Sequence, residues 1–210
     1  MENYLSVFRA AAAEFTERKS VFIGSCAPVS TEEEALEFVN SLRKKYADAT
    51  HNVYAYIVRE NNACRFSDDG EPHGTAGMPV LDVLRKEGLT DVAVVVTRYF
   101  GGILLGTGGL VRAYTASAKQ AIDAAGRAEW AKCARFSVRS DYSDHQKLTY
   151  YFRKNGIEVK DTAFSDAVVN ECVVGSELMK NVAEDITSLT NGRAELEFLA
   201  DEYVKREVKL

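Results

Sequence analysis

The run DVAVVVT at residues 91–97 constrains the fold most. A strand this uniformly apolar is expected to be buried. The flanking sequence alternates between strands and helices. After strands over residues 4–11 and 14–29 around a charged turn, with Pro28 closing the second, STEEE offers overlapping capping boxes, Ser30 with Glu33 and Thr31 with Glu34. Ala35, Val39, Leu42 and Tyr46 then recur at helical steps, and Arg43, Lys44 and Lys45 suit the helix dipole at its end. A strand over residues 52–58 and a short one over 64–66 come next. A helix from Thr75 or Pro79 to Lys86, ended by Gly88, leads to the buried run, and a further helix is expected over residues 109–125. Such alternation of strands and helices reads as α/β.

The texture changes near Arg127. Nine of the 14 glycines lie between Gly70 and Gly109, whereas the remainder has three glycines and no proline, so domains are expected at residues 1–127 and 128–210. Beyond the boundary two units match. A strand over 133–139 precedes a helix capped by Ser143 with Gln146, closed by Asn155-Gly156 and followed by a strand through Ala163. A strand over 168–174 precedes a helix capped by Ser176, carrying Met179, Val182, Ile186 and Leu189 on one face and closed by Asn191-Gly192 before a last strand. This is the order of a ferredoxin-like βαββαβ sandwich.

Charge excludes a general polyanion binder. The net charge is -5, with 14 basic and 16 acidic residues up to Arg127 and 12 and 15 after it, so any nucleic-acid contact must be local. Cys26, Cys64, Cys133 and Cys172 form no CxxC pair and read as small apolar residues in a reducing compartment. No signal sequence and no membrane-length apolar run is evident, so a cytoplasmic location with no membrane partner is expected.

Two segments concentrate the unusual chemistry. In RYFGGILLGTGGLVRAY, residues 98–114, five glycines lie between Arg98 and Arg112. Glycine is tolerated where a positive φ or close backbone approach is required. The stretch fails the Walker pattern, which needs Lys and Ser/Thr after its second glycine, and Val111 stands where the third Rossmann glycine belongs. A more general reading survives: Gly101, Gly102, Gly106, Thr107, Gly108 and Gly109 offer N–H groups and a helix start to an anion, with Arg98, Tyr99 and Arg112 beside them. Alternatively the glycines let helix and sheet pack closely while the arginines pair with acids.

Those acids lie in FSDDGEPHGTAGMP, where Ser67, Asp68, Asp69, Glu71 and His73 crowd a short loop turned by Gly70, Gly74 and Gly77. Three carboxylates and an imidazole suggest a divalent metal. The same residues are ordinary turn chemistry, with Thr75 as a helix cap. A third reading pairs the acids across the site with Arg98 and Arg112, making the two segments one. Ser67 and Thr107 are candidate nucleophiles and His51, His73 and His145 the only imidazoles, but no spacing signals a triad, and His51 and His145 read as structural or solvated. No catalytic residue, metal or cofactor is therefore assigned.

The sequences at residues 66–81 (FSDDGEPHGTAGMPVL), 94–114 (VVVTRYFGGILLGTGGLVRAY) and 18–24 (RKSVFIG) closely resemble the signature of the YigZ/IMPACT family. The resemblance covers about residues 1–125, and the region after Arg127 is similar to the small C-terminal domain of bacterial members. It implies an N-terminal α/β (α+β) domain of the type shared by a small-subunit ribosomal protein, GHMP-type kinases and a domain of elongation factor G, followed by a ferredoxin-like domain. Eukaryotic IMPACT proteins regulate translation through the activator of a stress kinase and carry an additional N-terminal domain, which these 210 residues do not show, so that partner is not carried over. For bacterial members the likeness implies RNA or ribosome binding. A cytosolic, non-enzymatic binding protein is the leading expectation. A nucleotide- or metal-dependent enzyme and a protein-interaction module are the alternatives.

Overall fold

The computed structural model describes residues 3–208, the side chain of Glu207 excepted. The outermost ends of both expected domains, residues 1–2 and 209–210, lie outside the described residues. One unit, Tyr4–Glu129, runs β1 (Tyr4–Val7), β2 (Ala11–Glu17), β3 (Ser20–Pro28), α1 (Glu32–Lys45), β4 (His51–Val58), β5 (Ala63–Ser67), α2 (Gly77–Lys86), β6 (Val92–Tyr99) and α3 (Gly106–Ala125). Its sheet has the order β2-β3-β6-β4-β5 with every pairing antiparallel, so the α+β form of the expectation applies.

The apolar run is the central strand β6. Val92, Val94 and Val96 pack with α2 and α3 through Leu84, Ala118 and Ile122, while Ala93 and Val95 face α1 through Ala35, Val39 and Leu42. Covering on both faces explains why this strand does not alternate, although its neighbours are antiparallel. Gly24 of β3 admits α3 closely: a Cβ there would lie 2.4 Å from the Ser117 carbonyl oxygen.

Several local expectations shift. The first 29 residues form three strands rather than two, and β2 turns into β3 at Arg18 and Lys19, whose φ angles are +44° and +67°. Helix α3 starts at Gly106, three residues before its expected start, so the last glycines lie inside its first turn. Thr31 does cap α1, its hydroxyl accepting from the Glu34 N–H at 3.1 Å.

The chain divides between Glu129 and Trp130. The second unit consists of β7 (Arg127–Ser140, from Trp130 onward), α4 (Tyr142–Lys154), β8 (Glu158–Phe164), β9 (Val168–Gly175), α5 (Met179–Leu189) and β10 (Glu195–Val208, as far as Lys205). Strand order β10-β7-β9-β8 is the 4-1-3-2 arrangement of a βαββαβ sandwich. Phe136, Leu148, Phe152, Cys172 and Ile186 form its core. Gly156 and Gly192, with φ of +68° and +73°, end the two helices as their Asn-Gly pairs imply. The caps differ. Asp141 rather than Ser143 accepts the first-turn N–H, from Asp144 at 2.7 Å, and Ser176 opens a 3-10 turn ahead of α5. None of the four cysteines forms a disulfide, and burial pushes the Cys26 and Cys172 thiols up to about 12. No helix among the described residues is long and apolar enough to cross a membrane.

Candidate functional site

The acidic loop after β5 owes its shape to its first two carboxylates. Asp68 accepts the N–H groups of Gly74 (2.8 Å), Ala76 (3.2 Å) and Gly77 (2.8 Å), closing the loop and satisfying the start of α2. Asp69, at φ +46°, accepts from Asn52 N–H at 2.7 Å and from Arg43 Nη2 at 3.0 Å. Its carbonyl oxygen lies 2.8 Å from His51 Nδ1, which sets that nitrogen as the donor. These ties turn the next acid, Glu71, inward.

Glu71 meets Arg98 at the end of β6. Its Oε1 accepts from Arg98 Nη1 at 2.6 Å and from the Tyr114 hydroxyl at 2.7 Å, and His51 Nε2 stands 3.7 Å away. Side-chain exposures of 5% for Arg98 and 3% for Glu71 make this a buried pair, and His51 joins it because β4 pairs with β6 in a register that places His51 opposite Arg98. The guanidinium also reaches Ser20 Oγ at 3.3 Å and lies 5.4 Å from the ring centres of both Phe22 and Phe100. Burial first, then the bond to Glu71, holds the Tyr114 hydroxyl far above its ordinary pKa. The cluster is not fully satisfied. Arg98 Nε is buried without a partner, and Glu71 Oε2 takes no hydrogen bond among the described residues.

Above the cluster opens a cleft of about 430 Å³, with His51, Glu71 and Arg98 on its polar side and Phe100, Leu104 and Leu110 among its apolar walls. Its volume and composition fall within the range of small-ligand sites, roughly 300–1,000 Å³ with a few convergent polar groups. Gly106 and Thr107 line it at the start of α3, where no side chain caps the helix and no acid occupies the first turn. A second concavity of about 250 Å³ lies against the same turn, lined by Arg18, Gly109 and Arg112.

The two sequence segments therefore meet, but with altered roles. Arg98 is no surface cation, being neutralised internally by Glu71, whereas Arg112 is exposed and has no carboxylate partner among the described residues. Tyr99 turns away, its hydroxyl donating to Asp48 at 2.9 Å. Asp68 rather than Thr75 serves α2, since the Thr75 hydroxyl donates to the Pro72 carbonyl at 2.6 Å. Ser67 Oγ accepts from Asp69 N–H within the turn, and His73 is 99% exposed beside Asp68. The three carboxylates diverge toward different partners, and no group of three or more His, Cys, Asp or Glu among the described residues could hold a metal ion.

The glycines divide similarly. Gly101 is required for close approach, because a Cβ there would lie 2.0 Å from the Lys19 carbonyl. Gly74, Gly102 and Gly106 have positive φ, while Gly108 and Gly109 continue the first turn of α3. His51 and Tyr114 escaped the sequence reading as site residues. A strand-initial histidine and a mid-helix tyrosine carry no local signal, and only strand register and helix packing bring them to Glu71.

A two-domain α+β protein with a cleft built from its SDDGEPHG loop and glycine-rich helix start is the class this geometry defines. Residues 18–122 match the Impact N-terminal domain, and residues 138–193 match a domain of unknown function. The IMPACT family member YvyE of Bacillus subtilis is 39% identical over 93% of this chain and 91% of its own length. An IMPACT family member of Haemophilus influenzae is 30% identical over 95% and 98%, respectively. A crystal structure titled as that of a hypothetical protein superposes with TM-score 0.60 at 28% identity, covering 96% of this chain and all of that one. The chain belongs to the IMPACT family. Its likeness to Protein IMPACT of Rattus norvegicus, 38% identical, spans only 45% of this chain and 31% of that protein.

Proposed function

We propose that this protein is a non-enzymatic binding protein of the cytoplasm whose N-terminal domain, residues 1–127, takes one nucleotide unit of single-stranded RNA, free or on the ribosome, in the cleft beside α3. The observation that carries this reading is the unused acceptor of Glu71, a 97% buried side chain, at a cleft whose rim is an uncapped helix start. A base fits the apolar cleft, with Phe100, 44% exposed, as a stacking surface. The attached phosphate then lies at the first turn of α3, where N–H groups, the dipole and the free Arg112 favour an anion. Arg98 and Tyr99, expected at the sequence level to touch RNA, are taken up by partners within the chain, Arg98 in the interior and Tyr99 at the surface. Arg98 holds Glu71 and Tyr99 holds Asp48.

Fluorescence anisotropy with a labelled single-stranded RNA octamer at low salt tests the reading. Binding should weaken as salt rises. Arg112→Ala should lower the salt slope by about 0.7, the share of one phosphate contact on a single strand. Phe100→Ala should cost ~1–3 kcal/mol of affinity, the range for one stacked base. Free mononucleotides binding as tightly as the octamer would make a soluble nucleotide the ligand. No binding of either, or binding indifferent to both substitutions, rejects the proposal.

A further inference from the structure

The polar side of the cleft offers acceptors. Glu71 spends Oε1 on Arg98 and Tyr114, and Oε2 has no hydrogen bond. Oε2 is not among the sealed polar atoms lacking a partner, so it reaches solvent from a residue lining the cleft. His51 commits Nδ1–H to the Asp69 carbonyl, and in that imidazole tautomer Nε2 is the acceptor. That nitrogen lies 3.7 Å from Glu71 Oε1, beyond hydrogen-bond distance, and it too belongs to a lining residue. Arg98 Nε, buried beside them, is sealed from solvent. A group set against Glu71 Oε2 and His51 Nε2 must therefore bring donors. Because Arg98 neutralises Glu71, neutral N–H groups suit the cleft better than a cation.

On the reading that the cleft takes one nucleotide of RNA, we infer that it selects guanine, whose Watson–Crick edge places two adjacent donors, N1–H and the 2-amino group, against Glu71 Oε2 and His51 Nε2. Adenine and cytosine present one amino donor beside a ring acceptor, and uracil presents one N–H between two carbonyls. Each of these sets an acceptor against an acceptor. The discrimination follows the usual rule that a site built to bond a polar group rejects an analogue leaving its buried partner unpaired.

The test uses the full chain and uridine octamers carrying one central guanosine, inosine, 7-deazaguanosine, adenosine or cytidine. Guanosine and 7-deazaguanosine, which keep both donors, should bind alike. Inosine, lacking the 2-amino group, should bind about tenfold more weakly, as should adenosine and cytidine, within the range seen when a paired base contact is lost. Glu71→Gln should compress the guanosine-to-inosine ratio, and His51→Ala should compress it as well, while the wild-type series needs no variant to fold. Equal affinity for every octamer overturns guanine selection and leaves RNA binding standing. Loss of affinity with 7-deazaguanosine moves the contact to N7 and overturns it as well. Failure of all octamers to bind removes the underlying reading.

Discussion

Glu71 in the N-terminal unit and Asp144 in the C-terminal one are both almost wholly withdrawn from water, with side-chain exposures of 3% and 1%. Asp144 distributes its bonds: Oδ1 accepts from Lys147 at 2.8 Å, and Oδ2 accepts from Arg193 Nε at 3.0 Å and Nη2 at 2.6 Å. Both of its cations stay about half in solvent, at 53% and 49% exposure. Glu71 instead crowds two donors onto one oxygen, leaves the other unbonded, and relies on a guanidinium as buried as itself. A buried pair seldom exceeds a well-packed apolar substitute in stability. The Asp144 arrangement ties a helix start to the turn that follows α5. The Glu71 arrangement keeps an acceptor available beside a cleft, which is what a binding site requires and a structural tie does not.

The comparison is broken most directly at Arg98. Arg98→Met strands the Glu71 charge, so the N-terminal unit should lose about 3–5 kcal/mol, read as a lower urea midpoint. Adding Glu71→Gln to the same chain should recover most of that loss. Wild-type stability in the single variant would show that Glu71 does not depend on this pair. A smaller effect is expected at Asp68, whose neighbour Glu71 is aimed by the loop it closes. Asp68→Ala should cost ~1 kcal/mol, the usual value of a lost helix cap, and hasten hydrogen exchange at Ala76 and Gly77. Unchanged exchange there would mean that the start of α2 is satisfied by other groups.

The mildest test sharpens the contrast from the other side. The hydrogen bond from Lys147, with Arg193 beside it, holds the Asp144 carboxyl below the usual carboxylate range. A carboxyl whose folded pKa is depressed contributes stability above its unfolded value, near 4, and loses it as pH falls through the folded value. The melting temperature of the C-terminal unit should therefore decline below about pH 4, and Asp144→Asn should flatten part of that decline. An identical acid profile in the variant would remove Asp144 from the account.

Much of the architecture was legible because its signals are local. The Val92–Val96 run announced a buried strand, and the Asn-Gly pairs at 155–156 and 191–192 marked two helix ends whose glycines have positive φ. Capping was less legible where the cap came from afar. Thr31 was readable because it lies three residues from the N–H it accepts, while Asp68 is eight and nine residues from the two N–H groups it satisfies at the start of α2. The site was half legible. Its two segments stood out by their glycines and charges, yet nothing in SDDGEPHG indicates which of three acids meets Arg98.

What the sequence by itself determined is the periodicity, the turns and the placement of charge and glycine, each set by neighbours a few residues away. Tertiary structure alone decided the partners. Asp68 and Asp69 are consumed by backbone N–H groups of α2 and β4, so Glu71 is the acid left to face Arg98, 27 residues away. The antiparallel register of β4 on β6 then sets His51 beside them. Such choices depend on competition for buried donors across the whole domain, because a withdrawn charge must find whichever partner the packed backbone leaves free.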